Sequence, residues 1–151
     1  MHADPEVMDD LGGPISRTES DATLDRYSRA YAEHGLSRWA VETSEGEFLG
    51  YAGVLPRLSR NHPLGPHYDL SWRFVRRAWG NGYATESAQA ALADAFKRPR
   101  PSEVLAYAGP ANLRSQAVMR RLNMRRDETL DFAIDNGGSG AWRGLVWVAS
   151  R

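Results

Sequence analysis

The chain has 151 residues, of which 42% are hydrophobic and 25% charged, with 19 basic and 19 acidic side chains and no cysteine. This composition fits one globular domain over residues 1–151 and excludes a disulfide-stapled fold. No window approaches the roughly 20 apolar residues of a membrane span, and a net charge of zero provides no general field for nucleic acid. We therefore expect a cytoplasmic protein that binds neither membrane nor nucleic acid.

Two helices are predicted at the start of the chain. The first begins at Asp4-Pro5, a cap followed by proline at the first helical position, and ends at Gly12. The second begins at the capping-box pair Ser16 and Glu19 and ends at Gly35. Its spacing predicts a buried face formed by Leu24, Tyr27 and Tyr31.

The remaining elements alternate between strands and helices. Residues 38–43 and 47–55 predict a hairpin, Pro56 to Pro66 a loop, and residues 68–75 a third strand. A helix over 83–97, a strand over 103–108, a helix beginning near Asn112 and two final strands joined by a turn at 135–140 complete the chain. The predicted buried stripe of the last helix comprises Leu113, Ala117, Val118 and Leu122. The order predicts an α/β (mixed α+β) fold with helices on the faces of a mixed sheet.

A glycine-bearing loop between the third strand and the next helix is the main functional signal. Gly80 and Gly82 permit close backbone approach to a ligand, and the following helix offers unpaired N–H groups at its positive end. The segment therefore predicts an anion site, most simply for a pyrophosphate. Alone, it is equally compatible with an ordinary strand-to-helix turn.

The loop and its flanks resemble a known family. A dinucleotide fingerprint requires a third glycine where Thr85 stands, and a P-loop requires a nearby lysine that is absent. Arg77-Ala78-Trp79-Gly80-Asn81-Gly82 is instead similar to the R-x-x-G-x-G signature of GNAT superfamily N-acetyltransferases. Asp69-Leu70-Ser71-Trp72-Arg73-Phe74 and Asn112-Leu113-Arg114-Ser115 resemble further family positions. Gly82-Tyr83-Ala84-Thr85-Glu86 resembles the branch that acetylates N-terminal amines of ribosomal proteins.

The resemblance implies the fold and the donor site. It implies a mostly antiparallel twisted sheet, splayed at an acyl-CoA site and flanked by helices, with acetyl-CoA as the donor. The backbone of the strand end would pair with the pantetheine arm, and the loop and helix start would hold the pyrophosphate. Asn112 either bonds the arm, caps its helix, or does both, and Arg77 is either a ligand or a solvent-exposed arginine. The implied donor-binding residues are Phe74, Val75, Arg77, Gly80, Asn81, Gly82, Tyr83, Ala84, Thr85 and Asn112.

Two side chains are implied as catalytic. Asp69 occupies the position of a family carboxylate and is the candidate base for the amine proton. Because an unperturbed aspartate titrates near pH 4, it must be partly desolvated or act through water; the alternative is an ion pair with a neighbouring arginine. Ser115 is the candidate hydrogen-bond donor to the departing thiolate. The alternative for Ser115 is a hydroxyl bonded back to a carbonyl one turn earlier.

No metal site is expected, because the four histidines His2, His34, His62 and His67 show no ligand spacing; His67 is of interest because it lies two residues from Asp69. Trp72 can border the acceptor amine.

Two departures from the family pattern affect the expected structure. The sequence has no counterpart of the family's first strand, so the edge of the strand at 38–43 would require a strand-supplying partner or a second copy, or would stay exposed. Asn123-Met124 replaces the family's Gly-Phe, and asparagine tolerates the left-handed conformation that this turn requires.

Two functions remain open at this point. The first is an N-acetyltransferase in which a primary amine, of a protein N-terminus or a small molecule, attacks acetyl-CoA directly in a ternary complex. The second is a catalytically weak module that binds acyl-CoA or a partner. The sequence does not identify the acceptor amine, because loops determine that choice.

Overall fold

The structure, a computed structural model, describes residues 1–135 and 140–151. Residues 136–139 of the predicted final turn lie outside the described residues. The helices are α1 (Pro5–Met8), α2 (Arg17–His34), α3 (Tyr83–Phe96) and α4 (Leu113–Arg121). The strands are β1 (Arg38–Glu42), β2 (Phe48–Arg57), β3 (His67–Phe74), β4 (Glu103–Ala108), β5 (Arg125–Arg126), β6 (Phe132–Asp135) and β7 (Ala141–Ser150).

The strands form one sheet of seven in the order β1-β2-β3-β4-β7-β5, with β6 also paired to β7. All neighbours are antiparallel except β3 and β4, which are parallel. The mixed α/β fold with a mostly antiparallel sheet is therefore confirmed. The short strand β5 was not predicted, and β2 continues through Pro56 to Arg57 where a loop was expected.

The core lies between the sheet and α3. Ala88, Leu92 and Ala95 of α3 pack against Leu70 of β3 and Val104 of β4. Small residues on this face of α3 allow the helix to approach the sheet closely, which places its N-terminus beside the end of β3.

The helix ends follow the predicted signals. Ser16 and Glu19 form a complete capping box at α2, and Gly35 ends that helix in the left-handed conformation. Asp4 caps α1 through its carboxylate. Asn123 has a φ of 55°, so this asparagine adopts the expected left-handed turn after α4.

Three predicted core residues are exposed. In α2, Tyr27 is buried, whereas Leu24 and Tyr31 are exposed because the helix contacts the sheet by a narrower face than its apolar pattern indicates. Tyr31 instead packs edge-on against the exposed Trp39 of β1. In α4, Leu113 is 66% exposed and the buried positions are Gln116, Val118 and Met119.

The strand β1 forms one edge of the sheet. It pairs with β2, and within residues 1–135 and 140–151 no strand pairs with its outer side. Gly53 lets β1 approach closely, because a Cβ there would lie 2.0 Å from the carbonyl oxygen of Ser37. No helix in these ranges is long and apolar enough to cross a membrane.

Candidate active site

The strands β3 and β4 separate almost as soon as they meet. Their ladder has one register position, Asp69 opposite Leu105, after which no further pairing between the two strands is formed. On the other side of β3, the N–H of Val75 donates to the carbonyl of Leu49 on β2 at 2.8 Å. The backbone N–H and C=O groups of successive residues point to alternate sides of a strand. Those of Trp72 and Phe74 therefore point away from β2, into the gap between β3 and β4.

This alternation changes the expected backbone contacts. The N–H of Val75 is used by β2, and its carbonyl accepts from Ala78 at 2.9 Å. The carbonyl of Phe74 accepts from Trp79 Nε1 at 3.0 Å, which leaves its N–H directed at the gap. The groups that can pair with an inserted chain therefore belong to Trp72 and Phe74, and Val75 has none to offer.

The loop after β3 forms an open cradle at the start of α3. Gly80 and Gly82 have φ of 79° and 85°, a conformation that favours glycine, and a Cβ at either would meet nothing within 4 Å. No side chain caps α3, and the N–H of Thr85 already donates to the carbonyl of Gly82 at 2.9 Å. The N–H groups of Tyr83 and Ala84 thus remain for a ligand. Asn81 turns its amide back onto the carbonyl of Trp79 at 3.1 Å.

Arg77 is directed away from this cradle. Its guanidinium forms an ion pair of 2.6 Å with Glu47 and donates to the carbonyl of Phe48 at 3.0 Å. Arg77 is thus a solvent-exposed arginine, the second of the two roles considered for it. Its guanidinium can reach a ligand in the cradle only if the ion pair with Glu47 opens.

A cavity of about 500 Å³ lies between the cradle and the start of α4. Arg114 of α4 stacks on Trp79 with its guanidinium carbon 3.9 Å from the ring centre. Arg76 forms an ion pair of 2.5 Å with Glu6 across the same cavity. Two arginines absent from the predicted site therefore line the space next to the cradle. The lining residues are Pro5, Glu6, Asp9, Arg76, Trp79 and Arg114.

The start of α4 supplies two polar side chains. Asn112 caps the helix, because its Oδ1 accepts from the N–H of Ser115 at 3.0 Å, and its Nδ2 donates to Asp10 at 2.5 Å. The Ser115 hydroxyl has no hydrogen bond within the described part of the chain, whereas Ser87 in α3 bonds back to Tyr83 at 2.6 Å. The Ser115 hydroxyl therefore does not bond back to a carbonyl one turn earlier, which was the alternative role. Both the oxygen and the nitrogen of the Asn112 amide form hydrogen bonds within the protein.

Asp69 is buried with two arginines. It is 2% exposed, and its Oδ2 accepts from Arg38 Nη2 at 2.6 Å and from Arg57 Nε at 3.0 Å. Tyr107 of β4 lies near it: burial and the negative charge of Asp69 raise the pKa of the Tyr107 phenol.

Aromatic and imidazole rings surround this carboxylate on the face opposite α3. His62 and His67 lie 4.8 Å apart by ring centres, and His62 is 5.0 Å from Phe132. Burial, the proximity of His67 and that of Arg57 lower the pKa of His62, which favours the neutral ring. No group of three or more metal-ligating side chains suited to an ion occurs within 1–135 and 140–151.

The structure brings together most of the predicted site. Asp69, Phe74, the cradle, Asn112 and Ser115 lie around the gap between β3 and β4, and Arg77 and Val75 are engaged elsewhere. Sequence analysis missed four side chains at this gap. The partners of these side chains are distant in the sequence, so no local sequence pattern identifies them. The four residues are Asp10, Arg38, Arg57 and Tyr107.

The chain is similar to known proteins. A family model described as an acetyltransferase (GNAT) domain matches residues 1–125. The chain belongs to the GNAT acetyltransferase family. As a member, it is an acetyltransferase that acts with acetyl-CoA.

Individual relatives agree with this family assignment. The uncharacterized protein YkkB of Bacillus subtilis is 30% identical over 128 residues, covering 84% of this chain and 73% of that protein. The FsC-acetyl coenzyme A-N(2)-transacetylase of Aspergillus fumigatus is 29% identical over 152 residues, covering 97% of this chain and 64% of that enzyme. An acetyltransferase structure from Agrobacterium tumefaciens has the same fold, with a TM-score of 0.77, 22% identity, and coverage of 99% and 81%.

The buried ion pair predicts a large stability effect at Asp69. Asp69→Asn leaves the Arg38 guanidinium, 7% exposed, without its charged partner, and we expect the free energy of unfolding to fall by about 3–5 kcal/mol. Urea denaturation followed by circular dichroism measures this change.

The matched control is Asp21→Asn. Asp21 pairs with Arg17 on the surface of α2, so its loss should cost less than about 1 kcal/mol. Equal costs for the two variants would contradict the assigned role of the buried pair.

Proposed function

We propose that the protein is an N-acetyltransferase that transfers the acetyl group of acetyl-CoA to a primary amine within a ternary complex. The observation that carries this proposal is the gap between β3 and β4, which opens beside the uncapped start of α3 and the unbonded Ser115 hydroxyl. The name of the Aspergillus relative, an N(2)-transacetylase, supports transfer to nitrogen.

The residues around the gap fit acetyl-CoA. The backbone N–H groups of Trp72 and Phe74 suit the extended amide chain of the pantetheine arm, and the N–H groups of Tyr83 and Ala84 suit the pyrophosphate. Open space above Gly80 and Gly82 supports close approach by that anion. Arg114, next to the cradle, can supply the positive charge first expected from Arg77, and Arg76 can do so when its ion pair with Glu6 opens. When bound, acetyl-CoA supplies an activated acyl group.

Direct attack forms one bond as another breaks. The amine nitrogen bonds to the acetyl carbon while the carbon–sulfur bond breaks, the amine loses a proton, and the departing thiolate gains one. The chain has no cysteine to carry the acetyl group, which supports transfer without a covalent enzyme intermediate. Ser115 donates a hydrogen bond to the developing thiolate, a role supported by its hydroxyl having no other partner in the described part of the chain.

Asp69 takes the amine proton through an intermediary. Its burial and its two guanidinium partners leave no open path for direct contact with the amine. The proximity of Tyr107 to Asp69 supports a route through the Tyr107 hydroxyl or through water. Arg38 and Arg57 hold the carboxylate in place and are positioning residues.

Three finer expectations belong to the same proposal. The ribosomal-protein branch stays a prediction carried by residues 82–86. The free outer side of β1, flanked by the exposed Trp39, supports pairing with a strand from a partner or from a second copy. A cytoplasmic location is consistent with the lack of a membrane-spanning helix within the described ranges.

Thiol release on a panel of amines tests this function. We expect acetyl-CoA to stabilise the protein thermally and at least one primary amine to release coenzyme A. Ser115→Ala should lower kcat by roughly 10- to 1000-fold with little change in the KM for acetyl-CoA. Asp69→Asn, compared at an equal folded fraction, should lower kcat. Stabilisation without release would favour the binding module, and unchanged kcat in both variants would contradict the assigned roles.

The geometry of the cradle predicts an effect on the affinity for acetyl-CoA that is separate from the effects on kcat. Gly82→Ala forces a side chain into a left-handed conformation and places a methyl group over the cradle, so the Kd for acetyl-CoA should rise by roughly 10-fold or more. Gly46→Ala is the control, because Gly46 has a φ of 84° and equally open surroundings in the β1–β2 turn. Calorimetric titration measures the Kd for acetyl-CoA of both variants. Equal Kd values would show that the cradle is not part of the acetyl-CoA site.

A further inference from the structure

The segment after α1 bridges the gap between β3 and β4. Met8 is buried, and its sulfur accepts a hydrogen bond of 3.1 Å from Arg73 Nη1 on β3. Two residues later, Asp10 accepts from Asn112 at the start of α4. Leu70 and Phe74 pack toward α3, so the alternation of β3 directs Arg73 to the opposite face. Residues 8–10 therefore link Arg73 on this face of β3 to Asn112 at the start of α4.

Arg73 has no carboxylate partner within the described part of the chain. The other two arginines on this face, Arg38 and Arg57, both bind Asp69. Within the described residues, the half-buried Arg73 guanidinium contacts the Met8 sulfur and lies 5.6 Å from the centre of the Tyr51 ring. Burial and the charge of Arg73 lower the pKa of His2. A guanidinium has five N–H donors, a thioether is a weak acceptor, and carboxylates accept such donors strongly. Arg73 therefore has the capacity to bind an anion at the gap.

Asp10 provides the opposite charge on the other side. Its Oδ2 is held by Asn112, and its Oδ1 lies so close to the end of β4 that a Cβ at Gly109 would come within 2.8 Å of it. Trp142 Nε1 is 3.6 Å from the same point and has no hydrogen-bond partner within the described residues. A fixed carboxylate at this position suits an ammonium group approaching the gap.

We propose that the acceptor is a small amine that carries a carboxylate next to its amino group, that is, a compound of the amino-acid class. Arg73 binds the carboxylate and Asp10 binds the ammonium group before its proton is lost. Residues 8–10 connect the two charged groups, because Met8 contacts Arg73 and Asp10 is itself bound to the start of α4. The inference rests on the proposed N-acetyltransferase function.

The charge of this face disfavours the other acceptors. Three arginines, Arg38, Arg57 and Arg73, outnumber the two carboxylates Asp69 and Asp10, so the net positive charge disfavours a polyamine. A peptide N-terminus offers an amide where the amino acid has its carboxylate, and so leaves Arg73 without an anion.

The test compares L-amino acids with their own C-terminal amides as acceptors, and adds spermidine and a short peptide. For the wild-type protein we expect kcat/KM to be roughly 10- to 100-fold higher for the acid than for its amide. Arg73→Gln should abolish this preference by raising the KM for the acid, with the KM for acetyl-CoA unchanged, and Arg73→Lys should retain part of it. Arg17→Gln, which removes an exposed arginine of α2, should behave as wild type.

Binding to the coenzyme A-loaded protein separates this inference from the proposed function. Calorimetry with the same acids and amides should show the same preference and the same dependence on Arg73. If no amine releases thiol but the acids bind in this way, the transferase proposal fails and the site stands. If amides or spermidine are preferred, or if Arg73→Gln keeps the preference for acids, the inference is wrong even where acetyl transfer occurs.

Discussion

The structure depends on the early separation of β3 and β4. A parallel pair that keeps its ladder would satisfy the backbone of both strands and leave no room for a ligand. Here the ladder ends at Asp69 and Leu105, so the backbone groups of Trp72 and Phe74 face a gap. The residues proposed to bind acetyl-CoA surround this gap because α3 follows β3 and α4 follows β4 in the chain. One constraint thus creates the binding surface and assembles the residues around it.

The two faces of this gap have different chemistry. Toward α3, small and apolar residues pack the core and place an uncapped helix start beside the strand end. On the other face, Asp69, its arginines and Tyr107 form a buried polar network in which each charge has a partner. Arg73 differs from this network because its charge is matched only by a sulfur and a ring.

The sequence predicts the local features well. Helix ends at Ser16, Gly35 and Asn123 and the cradle at Gly80 and Gly82 depend on backbone conformations that nearby residues determine, and the structure contains them. Features that depend on distant residues were missed. Arg38 and Asp69 are 31 positions apart, and the engagement of Val75 by Leu49 follows from strand register, which no local pattern specifies.

Residue-resolved amide hydrogen exchange, with and without acetyl-CoA, tests the central role of the gap most directly. The N–H groups of Trp72 and Phe74 should exchange rapidly in the free protein and become protected by at least about 10-fold when acetyl-CoA is added. The N–H of Val75, bonded to Leu49, should be protected in both states. Slow exchange at Trp72 and Phe74 in the free protein, or no change on addition of acetyl-CoA, would contradict the account.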